Sequence, residues 1–161
     1  MADRIAPSVR SAVMRAVRGR DTAPEMRVRR MLHAAGYRFR VQLRLGRKRP
    51  DVVFTRRKRA IFVHGCFWHG HDCPRGRLPT SNAEFWHAKI ARNKARDAET
   101  EAALAAEGWR SLIVWECGLR DESAVLDRLR RFLGRPRLAD SRNICPTAPD
   151  LCDSAHATLR P

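Results

Sequence analysis

The 161-residue chain has no apolar run approaching the roughly 20 residues that a helix needs to span a bilayer. Its first residues, Met1 to Ser11, contain no apolar core followed by a small-residue cleavage site. No secretory leader is therefore expected, and the cytoplasm is the expected compartment. No internal repeat is present. Cysteines number five, and an odd count in a reducing compartment argues against a disulfide framework and for metal binding or inert burial. Acidic residues are scarce: 17 Asp and Glu stand against 33 Lys and Arg, a formal charge of +16 with a sequence pI near 11.3.

That imbalance favours a polyanionic partner. Each Lys or Arg placed on a phosphate releases a condensed counterion, giving tight, salt-sensitive and largely sequence-independent attraction. Ribosomal and membrane-surface proteins share such charge, but nucleic acid is the leading partner. A chain of this length forms one domain with a modest core, for which a structural metal is a plausible supplement.

The segment Ile61-Phe-Val-His-Gly-Cys-Phe-Trp-His-Gly-His-Asp-Cys73 concentrates three imidazoles and two thiols behind one short strand. Packing alone does not reward such clustering, and metal binding is its commonest cause. Around it the chain reads as alternating helices and strands. Ser8 to Val17 is short, basic and weakly helical, with Val13, Met14 and Val17 apolar, and suits a docking arm. Thr22-Ala-Pro-Glu25 has the form of a capping box with Pro24 in the first turn, and Gly36 supplies a left-handed stop. Tyr37, Phe39, Val41 and Leu43 alternate with cationic and polar residues, which predicts a strand with one wet face. Asp51–Phe54 and Ala60–Val63 predict an antiparallel hairpin whose free ends bring Asp51 near Val63 and His64. Ser81-Asn-Ala-Glu84 predicts the cap of a long helix running to Glu107, closed by Gly108. Trp109 to Trp115 predicts a strand ending at Cys117, and a last helix runs from about Ser123 to Leu133 with Gly134 as its stop. Residues 135–161, rich in Pro, Ala and Asp without period, predict a disordered tail.

Cys66, His71 and Cys73 offer three soft or borderline ligands in one loop, and Cys117 at a strand end is the natural fourth. Tetrahedral zinc in a closed structural site fits these residues; the bland alternative makes Cys117 a buried thiol. Cys145, Cys152 and His156 are better left in the tail than made a second site. Asp51, facing His64, His69 and Glu25, suits one Mg2+ beside a histidine that takes a proton from water, the parts that phosphodiester hydrolysis needs. Singly, Asp51 ends a turn, Glu25 completes a capping box and His64 is a core histidine; their coincidence on a positive surface favours catalysis. Phe67 and Trp68 sit between the metal ligands, and Phe85 and Trp86 open the long helix. Aromatics on a braced loop suit wedges entering a base stack, with Phe85 expected in the core. Arg92, Asn93, Lys94 and Arg96 form a phosphate-contacting or merely solvated helix face.

Together, His64-Gly-Cys-Phe-Trp-His-Gly-His-Asp-Cys73, Arg20-Asp-Thr-Ala-Pro-Glu25, Pro50-Asp51, Glu84-Phe-Trp86, Gly108-Trp109 and Val114-Trp-Glu-Cys117 closely resemble the very short patch repair (Vsr) endonucleases, over roughly Ser8 to Leu133. The resemblance implies an α/β, restriction-endonuclease-like mixed central sheet flanked by helices, in a domain of residues 1–134 whose first 20 residues form a DNA-contacting arm. It implies a bacterial enzyme that nicks DNA beside the thymine of a T:G mismatch left by 5-methylcytosine deamination. By the same resemblance Asp51 holds Mg2+ with the Val63 backbone carbonyl, and His69 is the general base. His64 and Glu25 support them, while Cys66, His71, Cys73 and Cys117 hold zinc. Phe67, Trp68 and Trp86 intercalate, and Met14 approaches the minor groove; Arg92 and Asn93 are candidate DNA contacts. Val63 stands where well-known members carry threonine, a change that a backbone ligand tolerates. The expected partner is double-stranded DNA with a T:G mismatch, bound by a monomer, with other mismatch-repair proteins as further candidates and no membrane. A non-catalytic zinc-braced DNA-binding module and a restriction-type enzyme that cuts both strands are the competing readings.

Overall fold

The computed structural model of the chain describes residues 19–136. Met14 and most of the arm, together with the tail beyond Pro136 and its Cys145, Cys152 and His156, lie outside the described residues. The described part is a mixed α/β unit of three strands and three α-helices: α1 (Ala23–Ala34), β1 (Val52–Phe54), β2 (Arg59–His64), α2 (Ala83–Ala106), β3 (Arg110–Trp115) and α3 (Glu122–Leu133). The sheet order is β1-β2-β3, antiparallel between β1 and β2 and parallel between β2 and β3. Among the described residues no helix is long and apolar enough to cross a membrane.

The β1–β2 hairpin forms as its pattern predicts, with Val52 opposite Ile61 and Phe54 opposite Arg59. Its turn is a 3-10 segment closed by Lys58 in the left-handed region. Because strand side chains alternate between faces, Ile61 of β2 and Leu112 and Val114 of β3 project to one side. There they meet Val28 and Leu32 of α1 and Leu129 and Leu133 of α3, forming the main core with Tyr37, Phe54 and Leu119. Ala60, Phe62 and His64 project to the other side. α2 lies against β3 and carries the buried Trp86, Ile90 and Leu104.

α1 starts as its sequence signals. Thr22 is the N-cap and accepts from the Glu25 N–H, while Glu25 Oε2 accepts from the N–H of Asp21, one residue earlier than in a standard capping box. Two expectations fail. The segment from Tyr37 to Leu43 is no regular strand: only Arg40 bridges β1, at Val53, before Gln42 turns into the left-handed region and breaks the extended run. Tyr37 and Phe39 still face the core, whereas Val41 is exposed. At the start of α2 the N-cap is Asn82 in left-handed conformation without a side-chain cap bond, so the capping box expected there does not form. Asn tolerates that conformation better than most residues.

Candidate active site and metal cluster

Register places the first site residue. The Asp51 N–H donates to the Ile61 carbonyl (3.1 Å) one step before β1, and the next free N–H along β2, that of Val63, donates to Asp51 Oδ2 (2.7 Å). In an antiparallel pair the N–H and C=O of one residue point to the same edge, so the Val63 carbonyl also lies on the Asp51 side, past the end of β1. Burial pushes the Asp51 carboxyl up to about 6; the Val63 hydrogen bond opposes this and the nearby Glu25 adds to it.

Glu25 is 5% exposed and its carboxylate is fully engaged. It accepts from the Asp21 N–H (2.9 Å), the Thr22 hydroxyl (2.8 Å) and Arg29 (3.0 Å). These bonds fill its capping role, and the same side chain lines the cleft that Asp51 lines.

His64 ends β2 on the α2 side and is 6% exposed. Its ring stacks on that of His69 at 3.7 Å between centroids and 11° between planes, and its Nδ1 is buried without a hydrogen-bond partner. Burial first, then the neighbouring His69, lowers the His64 pKa to about 4, so the imidazole is neutral at physiological pH. His69 Nδ1 lies 2.6 Å from Asp97 Oδ2. A carboxylate only accepts, so Nδ1 carries the hydrogen, and in the neutral form of the ring Nε2 holds the lone pair. Asp51, His64, His69 and Asp97 line one cleft of about 780 Å³ together with Glu25, Trp68 and Glu116. Arg47, Lys48 and Arg49 from the turn before β1, and Arg96 from α2, add cations to its walls.

The second cluster uses the residues between those. Cys66, His71, Cys73 and Cys117 each offer a ligand atom within 4.8 Å of the others. Cys66 is wholly buried, Cys117 Sγ lies 3.4 Å from His71 Nδ1, and the Cys117 N–H points at Cys66 Sγ (3.4 Å). Burial pushes the Cys66 thiol up to about 12, while hydrogen bonding to His71, then to Cys66 and nearby backbone, draws Cys73 down to about 6. The loop closes on itself through His71 N–H to Cys66 O and Gly76 N–H to Cys73 O (2.9 Å each). Gly76 admits no side chain, since a Cβ there would lie 1.9 Å from the His71 carbonyl oxygen. Three thiols and an imidazole, converging from the loop and the end of β3, fit a structural metal.

Phe67, Trp68 and Trp86 pack edge to face, with centroids 5.0 to 6.3 Å apart. Trp86 is 6% exposed, whereas Phe85, expected in the core, is 54% exposed. One helical turn settles both positions: Trp86 lies on the stripe of α2 that carries Ile90, and Phe85 is rotated off it. Asn93, on the same stripe, donates to the Trp68 carbonyl (2.8 Å) and so holds the aromatic loop. Arg92 is exposed, and Arg96 rather than Arg92 reaches the cleft.

Sequence reasoning missed Asp97, the partner of His69. The signal was available: Trp86, Ile90, Asn93 and Asp97 follow the i, i+4, i+7, i+11 spacing of one helix face. Trp115 was also missed as a contact. Its indole stacks on His71 at 4.3 Å and meets His64 edge-on at 5.4 Å, standing between the two clusters.

A cleft lined by a desolvated carboxylate and a carboxylate-held histidine suits hydrolysis, and similarity to known proteins agrees. The profile of the family described as DNA mismatch endonuclease Vsr matches residues 2–75. The chain is 50% identical over 133 residues to the type II nicking enzyme V.XorIIP of Xanthomonas oryzae pv. oryzae, covering 83% of this chain and 98% of that one. It is 44% identical over 127 residues to the DNA mismatch endonuclease Vsr of Escherichia coli, covering 79% and 81%. A type II nicking enzyme of Neisseria meningitidis, V.NmeAIP, is 38% identical over 133 residues, covering 83% and 95%. The protein is thus in class a DNA nicking endonuclease, a hydrolase of phosphodiester bonds. It belongs to the Vsr DNA mismatch endonuclease family.

Proposed function

We propose that this enzyme nicks one strand of double-stranded DNA beside the thymine of a T:G mismatch, the lesion left by deamination of 5-methylcytosine, and so starts very short patch repair in the bacterial cytoplasm. The observation that carries this reading is that the His69–Asp97 pair and the Phe67–Trp68–Trp86 cluster both join the same loop to the same helix, α2, which would couple proton removal to base-stack entry.

Asp51, with the Val63 carbonyl on the same side, would hold Mg2+; one carboxylate oxygen is fixed by the Val63 N–H and the rest of the group faces the cleft. When bound there, a hard dication neutralises charge on the phosphate. Asp97 keeps the His69 ring turned so that Nε2 takes the proton of the attacking water as the phosphodiester bond opens. Neutral His64 buttresses His69 by stacking, and Glu25 fixes the start of α1 beside Asp51. Cys66, His71, Cys73 and Cys117 would hold zinc as a brace, consistent with four donors and no open position.

Charge supplies attraction, from Arg47, Lys48, Arg49 and Arg96 in the cleft, with Arg92 at its periphery. Choice comes from the aromatic cluster, because a wobble pair is cheaper to unstack than a matched pair. Asn93 acts through its hold on the Trp68 carbonyl as well as by any contact with DNA. The catalytic domain would be residues 1–134, a restriction-endonuclease-like unit working as a monomer, with Met14 of the arm entering the minor groove and residues 135–161 as a disordered tail. Other mismatch-repair proteins are candidate partners.

Incubation of the zinc-loaded protein and Mg2+ with matched and T:G-mismatched duplexes, each strand separately labelled, tests the reading. Nicking confined to the thymine strand of the mismatched duplex is expected. Equal cutting of matched DNA, or cleavage of both strands, would overturn it.

A further inference from the structure

The hairpin turn and the start of β3 carry a set of cations that the catalytic cleft does not use. Arg59 and Arg110 are partners in the parallel β2–β3 register. In-register neighbours project to the same face, here the one covered by α3. Both guanidinium groups lie over the ring of Phe132, Arg59 at 5.1 Å and Arg110 at 5.9 Å from its centroid. Neither has a carboxylate within ion-pair distance among the described residues. Their neighbour Arg57 is engaged differently, donating to the Leu133 carbonyl and to the Arg135 carbonyl (2.7 Å) at the end of α3. Arg56 and Lys58 are exposed on the same turn.

Two like charges side by side on one ring are costly unless an anion sits between them. Burial, then Arg110 and Arg57, lower the Arg59 pKa, as such crowding requires. The planar, fork-shaped donors of two guanidinium groups match the oxygens of a phosphate. The aromatic ring fixes their planes and so reduces the entropy lost on binding.

We propose that Arg59 and Arg110, seated on Phe132, form a second phosphate-binding site, which takes backbone phosphodiesters of DNA outside the segment held in the cleft. The site stands at the opposite end of β2 from His64, five residues away, or about 17 Å at strand rise. It also projects from the sheet face covered by α3, whereas His64 projects from the opposite face, so the sheet itself separates the two sites. The phosphates come either from flanking duplex that bends around the protein or from a second duplex.

The test compares native protein, Arg59→Ala/Arg110→Ala and a charge-matched control, Arg120→Ala/Arg128→Ala, on duplexes of about 12 and about 40 base pairs, roughly 40 and 140 Å long. The site variant should bind the long duplex about tenfold more weakly, with a salt slope smaller by about 2, while binding the short one and nicking it as native protein does. If the flanking duplex is the source, the loss appears in the one-to-one complex. If a second duplex is the source, the second binding step disappears and the first is unchanged. Equal losses in site variant and control at both lengths, or no loss with either, would overturn the site. Should the alanine pair fail to fold, titration of native protein with inorganic phosphate decides: the Arg59 and Arg110 side-chain Nε–H resonances should shift before those of other arginines, and a uniform response overturns the proposal.

Discussion

The two clusters of the Cys/His loop are built from interleaved residues yet have opposite characters. Cys66, His71 and Cys73 turn inward and meet Cys117 in a set that closes on itself, whereas His64 and His69 turn toward the cleft and meet Asp97. Between them stands Trp115, one ring face on His71 and its edge toward His64. The comparison teaches that one loop can feed two clusters with alternate side chains: on the proposed reading the Cys/His set fixes the backbone, and the intervening side chains inherit that rigidity. It also separates two kinds of carboxylate. Asp51 and Asp97 are both part-buried, but desolvation makes Asp51 costly to ionise, while Asp97 lies against an imidazole.

The sharpest way to break the comparison is to remove the brace. Cys66→Ser should abolish zinc binding and cost most of the folding free energy that the metal supplies, apparent values for structural zinc sites being about 10–16 kcal/mol. Thermal unfolding and elemental analysis check it; a cysteine variant that folds normally and nicks DNA without zinc would make the cluster dispensable.

Asp51→Asn should leave the brace intact and reduce nicking by about 10³-fold or more, with DNA binding nearly unchanged. It also carries a pH signature. The folded Asp51 pKa, about 6, lies above its ordinary 3.8, so the folded state binds the proton more tightly than the unfolded chain does. Metal-free stability therefore falls as pH rises from about 4 to about 6, by at most about 3 kcal/mol. Asn has no such cost, so Asp51→Asn should be more stable than the native protein above pH 6 and equal to it below pH 4 in metal-free denaturant melts.

A loss of about 10²-fold in kcat is expected for Asp97→Asn, because the amide accepts or donates at His69 Nδ1 and no longer fixes one tautomer. Zinc content and KM should not move. If the rate is unchanged, His69 needs no orienting partner and the cleft cluster is less organised than the brace.

Trp68→Ala should shrink the preference for mismatched over matched duplex by roughly tenfold, given base-stacking contributions of about 1–3 kcal/mol. Its salt slope should stay near native. The smallest effect is expected at the cleft wall: Arg96→Ala should raise KM a few-fold and lower the salt slope by about 1, equally for both duplexes. Kinetics against salt on matched and mismatched DNA distinguish the two variants, and a mismatch-selective change in Arg96→Ala would show that charge also contributes to choice.

Much of this was legible in the chain. Periodicity and turn residues determined the helix from Thr22, the hairpin around Thr55 to Arg59, the long helix to Gly108 and the final helix, because these signals act within one or two turns of chain. Ligand chemistry at short spacing determined the Cys66, His71, Cys73 set, and charge determined a polyanionic partner. The tertiary structure alone decided what depends on distant segments meeting. It paired Asp97 with His69 across 28 residues, set Trp115 between the clusters and gave the Glu25 carboxylate its three donors. It also exposed Phe85 while burying Trp86, and reduced the Tyr37–Leu43 alternation to a single bridge. Alternation states only that a residue has two sides; which side is filled, and by whom, is fixed when α2 and the sheet close on the loop and exclude water between them.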